Sequence, residues 1–87
     1  MIFIFMIMEV NILAFGIAKE IIGAPALKLN LAESTTAGAL KKQLETSYEP
    51  LANLSSFLLA VNDEYVLPEA LIKAGDEIAI IPPVSGG

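Results

Sequence analysis

The sequence predicts an α+β fold: a mixed β-sheet with one main helix packed across it and an extended, flexible C-terminal tail. Three observations carry this prediction. Short segments with strand-like apolar patterning surround a single longer segment of helical period. The first and last of these strands are apolar on both faces, as expected for strands in the middle of a sheet. Beyond the last strand the chain runs Pro82-Pro83-Val84-Ser85-Gly86-Gly87, which belongs to neither strand nor helix.

The elements follow in order. From Met8 to Phe15, Met8, Val10, Ile12 and Ala14 share one face while Leu13 and Phe15 lie on the other, predicting a strand buried on both sides over its second half. Gly16 breaks it, and Ile17 and Ile21 then stand at i,i+4 before Gly23, a left-handed stop for a short helix. Leu27, Leu29 and Leu31 alternate with Lys28 and Asn30, predicting a half-exposed strand. Ser34, Thr35 and Thr36 are candidate N-caps for the main helix, whose apolar positions are Ala37, Leu40 and Leu44 and whose limit is Pro50. Leu51 and Leu54 are read as a loop tucked under the core. Phe57 to Val61 is an apolar run of strand length, Asn62-Asp63 a turn, and Glu64 to Val66 a brief return strand. Pro68 opens a helical turn, and Ala74-Gly75-Asp76 turns into the last strand, Glu77 to Ile81.

The right-handed crossover rule places the first and last strands side by side, parallel, in the middle of the sheet. That order is the β-grasp arrangement. Residues 8–81 form this one domain and 82–87 the tail. Residues 1–7 are read as an N-terminal extension, with Met6 or Met8 as alternative starts, or else as a lengthening of the first strand. They lack a basic leader and are too short to span a bilayer, so the expected location is the cytoplasm.

Composition narrows the chemistry. The 87 residues include no cysteine, histidine, arginine or tryptophan, which removes thiolate chemistry, the commonest general base and most metal-ligand sets. Five lysines against ten acids give a net charge of −5, unsuited to nucleic acid and suited to a partner with a basic pocket. Glu64, Glu69, Asp76 and Glu77 match no ligand template and read as a solvated surface. Lys41-Lys42 reads as an exposed helix face, Tyr48 and Tyr65 as residues at the core edge, and Gly38 as a point of close packing against the sheet. No internal metal or cofactor site is expected.

The tail is different. Gly86 and Gly87 carry no side chain, so they would thread a narrow active site of another protein, ahead of a terminal carboxylate that ionises near pH ~3.5. Pro82 and Pro83 favour an extended course, and the six residues from Pro82 would reach roughly 20 Å. The run Gly75-Asp76-Glu77-Ile78-Ala79-Ile80-Ile81-Pro82-Pro83-Val84-Ser85-Gly86-Gly87 resembles the C-terminal signature of the small, sulfur-carrier subunits of molybdopterin synthase, a ubiquitin-like family. Leu13-Ala14-Phe15, Ala18-Lys19-Glu20 and Ala60-Val61-Asn62 extend the likeness over residues 8–87. Paired aromatics common in that family before Pro-Pro are Ile80 and Ile81 here.

The resemblance implies a sulfur-donating, non-catalytic subunit of a sulfurtransferase complex. An activating enzyme would adenylate the Gly87 carboxylate with ATP, and sulfur would then displace AMP to leave a thiocarboxylate. The tail would deliver that sulfur to cyclic pyranopterin monophosphate in a pocket of the large synthase subunit, in molybdenum cofactor biosynthesis. Gly86 would keep the channel narrow, Val84 and Ser85 would line its mouth, and Pro82 and Pro83 would stiffen the exit. Ile80 and Ile81 would form an apolar partner-binding surface. The implied assembly is a heterotetramer around a dimer of large subunits, with no nucleic acid and no membrane. The alternatives are a thiamine-pathway sulfur carrier and a ubiquitin-like modifier, the latter also able to serve in tRNA thiolation.

Overall fold

The computed structural model describes residues 6–54 and 56–83. Five strands form one sheet in the order β2-β1-β5-β3-β4. They are β1 (Ile7–Ala14), β2 (Ala26–Ala32), β3 (Leu58–Val61), β4 (Glu64–Tyr65) and β5 (Glu77–Ile81). The helices are α1 (Ile17–Ile22), α2 (Ala37–Ser47) and α3 (Glu49–Ala52). β1 and β5 run parallel at the centre, with Ile12 opposite Ile78 and Ala14 opposite Ile80. The other strand pairs are antiparallel. This is the expected β-grasp order, and it follows from burial: Val10, Ile12, Ile78 and Ile80 are wholly inaccessible, which only central strands allow.

One face of the sheet carries the core. Met8, Val10, Ile12, Leu31, Leu59, Ile78 and Ile80 pack in a single cluster with Leu40 and Leu44 of α2, Leu51 of α3 and Phe57. The helical spacing of Ala37, Leu40 and Leu44 puts all three on the buried side of α2. Thr36 is the N-cap, and its hydroxyl oxygen accepts from the Ala39 amide at 3.1 Å. Pro50 does not merely stop α2. It sits in the first turn of α3, where a missing N–H costs nothing, and α3 carries Leu51 into the core.

β1 begins at Ile7, opposite Ala32, and the Met6 carbonyl extends the contact by accepting from the Glu33 amide at 3.0 Å, both within the alternative that lengthened the first strand. Met1 to Phe5 lie outside the described residues. Other expectations need correction. Phe15 is not buried on the second face but is 51% exposed, since α2 and α3 cover only one side of the sheet. The segment at Pro68 is a turn, with the Ala70 amide donating to the Leu67 carbonyl, and not a helix.

That segment also explains Gly38. Its amide donates to the Pro68 carbonyl at 2.8 Å, and a Cβ added there would stand 3.1 Å from the Pro68 Cβ and 3.2 Å from its oxygen. Gly38 therefore marks close packing against the Leu67–Ile72 segment and not against the sheet. The Ala37 amide bonds to the Ala70 carbonyl and the Ile72 amide to the Thr35 carbonyl, so this segment clamps the first turn of α2.

Candidate functional site

The tail leaves the sheet where three chain ends converge. β5 runs parallel to β1 and antiparallel to β3, so Ile81 lies opposite Leu58, the first residue of β3, and Ile80 beside Ala14, the last residue of β1. Pro82 and Pro83 follow, both half-buried. A Cβ on Gly16 would stand 3.6 Å from the Pro82 ring, an ordinary van der Waals contact, so the β1–α1 turn lies beside the exit. Gly16 has φ of 55°, a left-handed value that glycine adopts without strain. Val84, Ser85, Gly86 and Gly87 lie outside the described residues.

Strand alternation divides the two isoleucines before the prolines. Ile80 faces the core and is fully buried, whereas Ile81 is half-buried on the opposite face. The expectation that both form a partner-binding surface is thus corrected for Ile80, because side chains at successive strand positions point to opposite sides. The register places Leu13, Ala79, Ile81, Leu58, Ala60 and Tyr65 on the face that no helix among the described residues covers. Leu58 is 54% and Tyr65 67% exposed, and Phe15 follows at the end of β1. Glu9, Lys28 and Glu77 mark the polar part of this face, with Glu9 and Lys28 paired at 3.8 Å. An apolar surface thus adjoins the tail exit. The alternation of β1 and β5 contained this signal, but an open face reads as a buried one until the number of covering helices is known.

The Gly75-Asp76-Glu77 turn holds the opposite end of β5 in place. The Asp76 carboxylate accepts from the Lys73 amide at 2.8 Å and from the Asn62 side-chain amide at 3.0 Å. The Asn62 side-chain oxygen accepts from the Glu77 amide at 3.0 Å, and the Asn62 amide donates to the Glu77 carbonyl at 2.8 Å. Asn62 and Asp63 both have positive φ, 51° and 71°, giving the tight turn that joins β3 to β4. One asparagine therefore serves as turn residue and as a latch on β5. The Asp76 carboxylate acts here as a structural group and Glu77 through its main chain alone, and Asn62, visible in the sequence only as a turn signal, is the residue that sequence reasoning missed.

Among the described residues, no group of three or more acids is arranged to hold a metal ion. Nor does any helix among them have the length and apolarity to cross a membrane. What the described residues offer is an apolar surface beside the point where the tail leaves the sheet.

Comparison with known proteins agrees with this geometry. The ThiS family profile matches residues 12–87. The molybdopterin synthase sulfur carrier subunit of Dictyostelium discoideum is 41% identical over 83 residues, covering 91% of this chain and 96% of that protein. The human protein of the same description is 37% identical, covering 91% and 94%. In structure, a Pyrococcus furiosus protein described as molybdopterin converting factor subunit 1 superposes with a TM-score of 0.81 at 21% identity, covering 88% of this chain and 99% of that one. The small archaeal modifier protein 1 of Methanosarcina acetivorans gives 0.75 at 26% identity, covering 94% and 99%. A chain in the complex of subunits 1 and 2 of the Helicobacter pylori molybdopterin-converting factor gives 0.63 at 25% identity, covering 92% and 100%. With its profile match, β-grasp sheet and relatives agreeing over nearly the whole length, the chain belongs to the ThiS family, alongside the curated molybdopterin synthase sulfur carrier subunits.

Proposed function

We propose that this protein is the sulfur carrier of molybdopterin synthase and that Gly87 is the residue that carries the sulfur. The observation that supports this most directly is the identity of 41% to a sulfur carrier subunit over nearly all of both chains. In this reading the Gly87 carboxylate attacks the α-phosphate of ATP on an activating enzyme, releasing pyrophosphate and forming an acyl-adenylate. A sulfur nucleophile then displaces AMP, leaving a thiocarboxylate. The loaded tail enters the large synthase subunit and transfers its sulfur to cyclic pyranopterin monophosphate, and water restores the carboxylate. The thiocarboxylate is an anionic nucleophile at neutral pH, and a basic pocket in the partner would orient it.

Each part of the described surface has a place in this reading. Ile81, Leu58, Phe15 and Tyr65 dock on the large subunit, and Pro82 and Pro83 aim the tail into its channel. Acid–base groups come from the partner, consistent with a chain that has no histidine, cysteine or arginine. The Helicobacter pylori complex supports a large-subunit partner of this kind. The heterotetramer, the cytoplasmic location and the ATP-dependent activating enzyme belong to the same proposal.

Intact mass spectrometry of the thiocarboxylated protein tests it. Exchange of sulfur for oxygen only when both the large subunit and cyclic pyranopterin monophosphate are present is the expected result. A thiocarboxylate that forms yet survives that incubation points to thiamine or tRNA pathways instead. A second reading, a protein modifier, draws support from the fold shared with the Methanosarcina acetivorans modifier. Isopeptide conjugates of Gly87 to lysines in a lysate would favour it.

A further inference from the structure

We propose a second docking site, which meets the open face only at Leu58: the outer edge of β3, which accepts an extended apolar segment of a partner protein carrying a carboxylate. Three observations converge there. β4 pairs with β3 only at Ala60 and Val61, so among the described residues no strand pairs with the start of β3 on that side. The Asn62 amide donates to Glu77, which fixes the alternation: Leu58 and Ala60 turn their main-chain groups toward β5, and Leu59 and Val61 turn theirs outward. Val61 is answered by Glu64, whereas among the described residues no strand residue stands opposite Leu59 on the outer side. An open edge of this kind is a template for strand addition.

Beside the edge lies a surface cleft of about 260 Å³ between β3, the first turns of α2 and the Val66–Pro68 segment. Phe57 and Leu59 form its floor, and Leu67 at its rim is 68% exposed. Such a cleft accepts the alternate side chains of an added strand, giving it specificity as the edge gives it affinity.

The third observation is charge. The Lys41 ammonium lines the cleft, 4.8 Å from the centre of the Phe57 ring, and makes no ion pair among the described residues. A cation held over an aromatic face at the mouth of an apolar cleft selects a segment that brings a carboxylate. An uncharged apolar strand would leave it unmatched, and a basic one would be repelled.

The probe is a blocked hexapeptide alternating isoleucine and threonine with a single terminal glutamate, titrated into the ¹⁵N-labelled full-length protein. Shifts confined to the amides of Phe57, Leu59, Val66 and Leu67 are expected. N-methylation of the peptide's edge-facing amides should weaken binding about tenfold or more, because the main-chain bonds carry the affinity. Lys41→Gln should weaken it roughly fivefold, and the glutamate-to-lysine peptide at least as much. Leu67→Ser, at an exposed position, tests the cleft wall in a variant whose fold is confirmed by an unchanged spectrum elsewhere.

Shifts on Leu13, Ala79 and Ile81 instead would overturn the proposal. So would equal binding of the N-methylated peptide, or no local shift at millimolar peptide. Shifts at the edge that grow with protein concentration alone would assign the site to a second copy of this chain and also reject it. The assay involves no sulfur chemistry, so its outcome is independent of the role of Gly87.

Discussion

Gly38 stands where two residue-level effects oppose each other. Replacing it by alanine gains about 1 kcal/mol of helix propensity. The new methyl would meet the Pro68 backbone and ring at 3.1 to 3.2 Å, atoms held by the Gly38–Pro68 hydrogen bond and unable to swing aside. The clash should prevail: Gly38→Ala is expected to lower unfolding free energy by about 1 kcal/mol in chemical denaturation. A stabilised variant would show that the Leu67–Ile72 segment yields freely. At the other end of the chain, Gly86→Val should abolish thiocarboxylate formation while leaving the melting temperature at its wild-type value. Unimpaired loading of that variant would count against threading of the tail.

At the scale of the element, β5 is held at one end by a latch and at the other by its neighbours. Asn62 contributes two side-chain hydrogen bonds to it, one to Asp76 and one from Glu77. Asn62 also adopts a φ of 51°, which asparagine tolerates better than alanine. Asn62→Ala should therefore cost roughly 1.5–3 kcal/mol in denaturant unfolding, combining lost bonds with backbone strain. Asn62→Gly, which relieves the strain but not the bonds, should recover part of that loss. Equal stability of the two variants would remove the strain from the account. The latch was not legible in the sequence because its partners lie fourteen and fifteen residues apart. Turn residues announce a turn, but not what their side chains reach across it.

For the whole molecule, the decisive contrast is between Ile80 and Ile81. Ile80→Asp places a charge in the fully buried core and should prevent folding, as seen by loss of the circular dichroism transition. Ile81→Asp lies on the open face, so the protein should fold yet bind the large subunit at least about tenfold more weakly, since a central apolar anchor is worth ~2 kcal/mol or more. Calorimetric titration reads the second effect. Undiminished binding by Ile81→Asp would move the docking surface elsewhere on the molecule.

The sequence by itself determined the strand order, α1, α2 and the central parallel pair, and set the Pro-Pro to Gly-Gly ending apart by composition, while it read α3 as a loop. Each rests on local information: apolar period, turn chemistry at Gly23, Asn62 and Gly75, and two prolines followed by two glycines. The tertiary structure alone decided which strand face is covered. β1 and β5 are apolar on both sides, and a period of two cannot say which side the helices take. Only the placement of α2 and α3 buries Ile80 and leaves Ile81, Leu58 and Phe15 toward solvent. It also set Gly38 against Pro68 and, among the described residues, left the start of β3 paired with β5 alone, because contacts between distant segments have no local pattern to betray them.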